Sequence, residues 1–315
     1  MNIYDIKRKV YLSFFSRSFI LHYYRFLSRK QYILSTIKKF GREKDTAQLL
    51  PLMRRAYTKF RWNAEEFFLF KYEQLNDKER SEFCPEFDHN IFCLKVNNFK
   101  TAKDFRDKMK TYIRFKPFFK RECILLTCEK DLHTQEFNEF IKHNETFLAK
   151  QLDACCGRGI LKITRENIDT LHSLFKDGQR NRFILEPYII QCKELSALHP
   201  ESVNTLRIPT INYGDHIEIF HPFLRIGKGS HFVDNAGSGG IGCNIDIQSG
   251  SIVCAGDENG IDYTHHPDTN IKLIGFNIPK WGGGNANSKG TGKNGPGCQI
   301  CRLGFGTDRE WMGYD

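Results

Sequence analysis

Lys150 closes the strand-like run TFLAK and is followed by Asp153-Ala154-Cys155-Cys156-Gly157-Arg158-Gly159, ahead of a second apolar run, ILKI. Glycines bracketing a turn let backbone N–H groups approach phosphate oxygens with no Cβ in the way. A lysine at the end of the preceding strand adds a point charge to the same phosphates. An ordinary hairpin with a surface lysine fits the same spacing, so phosphate binding and plain turn both stand. A Walker A loop is excluded, because no G-K-[ST] follows the glycines.

A second constellation is Glu186-Pro187-Tyr188-Ile189, which closes an apolar strand and has Glu194 a few residues on. A nucleotide base needs an apolar slot with backbone donors and acceptors along its edge, and a ribose needs a carboxylate to accept from its hydroxyls. A strand ending in Glu-Pro supplies both kinds of group, because Pro187 removes one ladder donor and opens the edge.

The densest group lies in ALHPESVNTLRIPTI and HPFLRIGKGSHFVDNAGSGGIGCNIDIQSG. His199, Asn204, Arg207, Arg225, Asp234 and Asn235 are polar residues set in or beside apolar strands. Alternation places Asn204 and Leu206 on one face, and Thr205 and Arg207 on the other. An arginine flanked by Leu and Ile needs an anion if buried; a phosphate or a structural aspartate would serve. The glycines from Gly237 to Gly242 either close backbone on a ligand or form a loop. His265, His266 and Asp268 read as a turn begun at Pro267-Asp268 rather than a metal site, since adjacent strand residues point opposite ways. Cys298 and Cys301 have metal-ligand spacing, but no second pair accompanies them.

The elements that must position these groups fall into two textures. Residues 1–95 read as helices, with apolar positions three and four apart in AQLLPLMRRAYTKF and acids opening AEEFFLFKYEQL. A basic helical stretch over 97–120 ends near Pro117, followed by the short strand CILLTC and the helix HTQEFNEFIKH. From Phe147 onward, TFLAK, GILKI, RFILEPYII, VNTLRIPTI, HIEIFHPFLRIG and SIVCAG alternate with turn residues, with one helix at about 165–175. This is largely antiparallel grammar, and the lack of βαβ alternation argues against a Rossmann sheet.

The net charge of +10 is uneven. Residues 1–40 hold nine Lys or Arg against Asp5 alone, or +8, leaving +2 for the other 275. Such a head suits either an anionic membrane surface or a solvated helix face; nucleic acid has only the charge in its favour. No apolar run is long enough to span a bilayer, and no signal-peptide cleavage site follows the basic start. Single cysteines in apolar runs, such as Cys123 and Cys243, are the usage of a reducing compartment.

In order, LAKQLDACCGRGILKI, ILEPYIIQCKELSALHPESVNTLRIPTI, PFLRIGKGSHFVDNAGSGGIGCNIDIQSGSI and HPDTNIKLIGFNIPKW resemble the sugar-transfer-associated ATP-grasp family, relatives of α-L-glutamate ligases. The resemblance is close from about 147 to 281. It implies an α+β ATP-grasp fold, two α+β lobes enclosing an ATP cleft behind a helical N-terminal region. The expected organisation is a basic helical region (1–95), a small lobe (96–146), a nucleotide-binding region (147–281) and an aberrant, disordered tail (282–315). On the family pattern Lys150 touches ATP phosphates, and Gly157, Arg158 and Gly159 form the loop over them. Glu186, Pro187, Tyr188 and Ile189 line the adenine, and Glu194 holds the ribose. Arg207 faces the γ-phosphate or an acyl phosphate, with Asn204 beside it as a second catalytic candidate. The implied reaction is ATP- and Mg2+-dependent carboxylate–amine ligation in bacterial capsule or exopolysaccharide synthesis, in the cytoplasm or at the inner face of the membrane, with glycosyltransferases as possible neighbours. The competing expectation is a non-catalytic protein docked on a membrane or an assembly complex through its basic N-terminal helices.

The family finishes with strands that carry an Asp and a Glu-x-Asn as magnesium ligands, and this chain does not have them there. Ten of the 34 residues after Trp281 are glycine, without periodicity. Read one base later, the codons of this tail permit an amphipathic helix, a Pro-Asp turn, a strand with an Asp and a strand ending in Glu. Trp311-Met312-Gly313 is forced into Gly-Trp. The expectation is a shifted reading frame, with one extra G beside the Trp281 codon and ligation lost.

Overall fold

The computed structural model describes residues 29–97, 105, 107–152, 159–175, 182–213, 215–282 and 302–304. The chain divides into two compact units, residues 1–97 with 258–261, and residues 98–257 with 262–315.

The first unit is helical. Its elements are α1 (Lys30–Lys39), α2 (Thr46–Arg55, continued by a π-turn over Ala56–Phe60), α3 (Ala64–Leu69), α4 (Asp77–Ser81) and α5 (Glu86–Val96). A capping box starts α3: Asn63 accepts from the Glu66 N–H, and Glu66 accepts from the Asn63 N–H at 2.7 Å. Burial raises the Glu66 carboxyl above its ordinary range, although the Asn63 and Glu86 N–H groups hold it. Ile37, Leu49, Trp62, Phe67 and Tyr72 form the core. The aromatics dominate that core because each buries roughly 150–250 Å².

The second unit carries two sheets, so the α+β expectation holds. The first sheet has strand order β1-β4-β2-β3, from β1 (Ile124–Leu126), β2 (Thr146–Gln151), β3 (Ile160–Thr164) and β4 (Phe183–Pro187), all antiparallel. Phe147, Ala149, Ile163 and Leu185 point to one side and pack with Phe137, Phe140 and Leu171. The helices that supply these are α7 (Gln135–His143), capped by Thr134, and α8 (Thr170–Ser173). The other side meets α6 (Lys108–Phe119) through Tyr112, Cys123, Leu152 and Ile184.

The helix α6 runs two residues past Pro117, where the sequence placed its end. Backbone angles leave the helical region at Phe115, so Pro117 sits in the first turn of a new helical piece, where its missing N–H costs little.

The second sheet holds β5 (Thr205–Asn212), β6 (Ile217–Ile219), β7 (Phe223–Ile226), β8 (Ile241–Ile245), β9 (Ile252–Gly256) and β10 (Arg302–Gly304). Its order is β10-β5-β7-β8-β9, with β6 against β5; all pairings are antiparallel except β10 with β5. His221, at φ +30°, breaks HIEIFHPFLRIG into β6 and β7. One face is wholly apolar: Leu224, Ile226, Ile241, Cys243, Ile245, Ile252 and Ala255 pack under α9 (Lys193–Leu198), Leu273 and Ile278. Trp281 closes this layer, its indole N–H donating to the Ile247 carbonyl at 3.0 Å.

Candidate nucleotide-binding site

Antiparallel register decides which sequence candidates meet. Leu148 pairs with Glu186, Lys150 with Ile184 and Lys162 with Leu148, so Lys150, Lys162 and Glu186 share the face of the first sheet away from its main core. There Lys150 Nζ donates to Glu186 Oε2 at 2.7 Å, and Arg121 Nη2 donates to the same oxygen at 3.1 Å. The Glu186 carboxylate is buried, and two cations converge on it. The Arg121 Nε is also buried and has no hydrogen-bond partner among the described residues. Burial, reinforced by the Glu186 charge, pushes the neighbouring Cys123 thiol up to about 12, which keeps it a neutral filler.

Lys162 reaches 4.7 Å over the Tyr188 ring, a cation–π contact that fixes the aromatic beyond the strand end. The Tyr188 N–H donates to the Thr146 carbonyl at 3.2 Å, extending β4 by one bond past Pro187. Burial raises the Tyr188 phenol, with the Glu201 charge adding to it. Ile189 is half-buried and Ile190 is 94% exposed. Gly159 closes the hairpin of β2 and β3 at φ +66°, its carbonyl accepting from Gln151 at 3.1 Å. That left-handed angle suits glycine. Gly157 and Arg158 lie outside the described residues. Glu194 stands exposed in the first turn of α9.

The two catalytic candidates belong to the second sheet and take different sides of it. Asn204 is completely buried, and its side chain is fully used. It donates to the carbonyls of Leu195 at 2.8 Å and His199 at 3.2 Å. Its oxygen accepts from Ser202 at 3.0 Å and the Gly227 N–H at 3.2 Å. Such an amide fixes α9 and the start of β5 and has no valence left for a ligand.

Arg207 lies with Thr205, Phe223, Arg225, Gly242, Asn244 and Gly256 on the polar face, opposite the apolar layer. Arg225 pairs with Asp234 at 3.2 Å, and both its Nε and Nη2 donate to the Thr205 hydroxyl, at 3.0 and 2.9 Å. Thr205 in turn donates to Asp234 through its N–H, at 3.0 Å, and its hydroxyl. The structural Arg–Asp pair is therefore made by Arg225. Gly242 and Gly256 pair across β8 and β9, towards one edge of the sheet, leaving bare backbone on the polar face there.

His265, His266 and Asp268 form a turn, as expected: the His266 carbonyl accepts from Asn270, and Nε2 of the buried ring donates to the Gly227 carbonyl at 2.8 Å. Sequence reasoning missed Arg121 and Lys162. Arg121 was visible only as the last cation of a basic run before an apolar strand, and Lys162 only as the lysine inside ILKI.

One face thus gathers cations and the other exposes bare glycine backbone. The sequence profile of the sugar-transfer associated ATP-grasp family matches residues 89–284. The chain belongs to that family. No curated protein and no solved structure matches it. The matched stretch contains every described candidate residue and stops three residues after Trp281. ATP-grasp proteins bind ATP and Mg2+. Among the described residues no three His, Cys, Asp or Glu side chains group closely enough to hold a metal ion.

Proposed function

We propose that this chain is an ATP-grasp ligase-like protein of bacterial polysaccharide synthesis that retains its nucleotide-binding surfaces. One observation supports this most: Glu186 is buried between Lys150 and Arg121, while the buried Arg121 Nε has no hydrogen-bond partner among the described residues. A buried donor left unmatched is costly, and a phosphate oxygen is the acceptor that suits a guanidinium. Glu186 holds both cations in place until a more highly charged anion arrives.

In this reading Lys150 and Arg121 take the phosphates, with Gly157 to Gly159 over them. The segment from Glu186 to Ile189 lines the base, Glu194 accepts from the ribose and Arg207 faces the transferring phosphoryl group. Asn204 is a positioning residue that fixes the start of β5 and hence Arg207. A substrate carboxylate oxygen attacks the γ-phosphorus and ADP leaves. An amine nitrogen then attacks the acyl carbon, loses its proton and expels phosphate. Cations aimed at the equatorial oxygens stabilise the charge of the first step.

Residues 282–315 stand where the family carries its magnesium-binding strands, and we infer that they are the gene read in a shifted frame. The ten glycines and the absence of periodicity in those 34 residues support that reading. The chain as it stands then binds ATP weakly and does not ligate. Incubating the purified protein with ATP and panels of carboxylic acids and amines tests this: no ADP release above background is expected, and turnover with any pair contradicts it. The encoding DNA tests the frame directly, because a stop codon in the alternate frame of this region sinks the idea.

A further inference from the structure

On α6, Ile113 is 63% exposed and Phe118 is 77% exposed, while Tyr112 on the opposite side is buried against the first sheet. Exposed apolar side chains take on meaning when a charged rim surrounds them, as at peripheral membrane surfaces. Their neighbours are cationic. On the open side these are Lys110, Arg114, Lys116 (with Glu122 at 2.8 Å) and Lys120, whereas Lys108 and Arg121 turn inward to the Gln151 and Leu152 carbonyls and to Glu186. Arg114, Lys116, Pro117 and Lys120 are exposed, and a hollow lined by Lys116, Pro117, Lys120, Arg121 and Glu122 adjoins them.

We propose that this face of α6 docks on an anionic membrane surface, with Phe118 and Ile113 entering the headgroup boundary and the surrounding Lys and Arg meeting lipid phosphates. The combination discriminates between partners. Nucleic acid uses the cations but leaves two aliphatic and aromatic side chains in water, and an acidic peptide needs a groove where a helix surface is convex. A bilayer boundary takes an aromatic, an aliphatic and a belt of cations at one depth. Among the described residues no helix is long and apolar enough to cross a membrane, so attachment here is peripheral. It is separate from the basic first 40 residues, and it does not depend on the nucleotide reading.

The test uses the full chain without nucleotide, floated with vesicles of phosphatidylcholine alone or with about one quarter phosphatidylglycerol, alongside the Ile113→Asp/Phe118→Asp double variant and Arg114→Glu. These side chains are exposed, so circular dichroism of the variants is expected to match the parent. The expected result is flotation only with the anionic vesicles, reduced at least about tenfold by the double variant and several-fold by Arg114→Glu. Hydrogen exchange of residues 108–119 should also slow when anionic vesicles are added. Equal flotation of parent and double variant, with unchanged exchange in α6, overturns the proposal and assigns attachment to another segment. Absence of flotation while RNA or an acidic protein protects α6 overturns it as well.

Discussion

The two sheets of the second unit follow the same local rule, alternating strands over an apolar layer, yet their polar faces are built differently. On the first sheet one buried carboxylate, Glu186, is outnumbered by Lys150 and Arg121, with Lys162 beside them. On the second, Arg225 has its own aspartate and a threonine, and bare glycine backbone lies beside it across β8 and β9. The first face is an excess of charge held ready, and the second is a neutralised frame that holds Arg207 in register. Under the proposed function, charge for the phosphates and accuracy of placement come from different sheets.

That contrast can be broken by mutation. The largest effect is expected on the framed side: Asp234→Ala strands the Arg225 charge and the Thr205 N–H, at a cost of about 3–5 kcal/mol in urea unfolding. Asn204→Ala should cost about 3 kcal/mol, because Gly227, Leu195, His199 and Ser202 all lose a partner. A stable Asn204→Ala protein would show that these bonds do not fix β5. On the charged side the signature reverses. Lys150→Met should cost about 1.5–3 kcal/mol, less than the framed side because Arg121 still holds the buried Glu186, yet weaken ATP binding about tenfold in calorimetry.

The smallest effect is pH dependence through His266. Its Nε2–H donates to Gly227 and its Nδ1 accepts from the Asp268 N–H at 3.3 Å, a pattern only the neutral ring satisfies. Burial lowers its proton affinity; the Gly227 carbonyl and the Asp268 charge oppose that, while His199 and Lys228 add to it. The unfolded chain therefore takes up the proton first. Stability should decline as pH falls below about 6.5 and level off beneath the lowered folded value. Urea midpoints of the parent and His266→Gln between pH 7.5 and 5 check this, the variant being flatter.

Much of the second unit was legible because its strands alternate over one buried side. β8 was hidden, since the glycine run ahead of it reads as a loop; Gly242 faces the open polar side, where no side chain is needed to make a strand. Arg121 was hidden for another reason. It meets Glu186 across 65 residues of chain, through the antiparallel pairing of β1 with β4, and no local spacing records such a meeting. Asn204 shows a further limit. Its complete burial and its bonds to Leu195, His199 and Gly227 come from other segments of the chain, which the spacing around it does not record.

The central claim is that the cations around Glu186 receive ATP phosphates while the magnesium-binding strands are missing. Calorimetric titration of the purified chain with ATP, with and without Mg2+, tests it most directly when run beside Lys150→Met. The account predicts weak binding that magnesium does not strengthen and that Lys150→Met reduces about tenfold. Tight, magnesium-dependent binding, or equal binding by Lys150→Met, would contradict it.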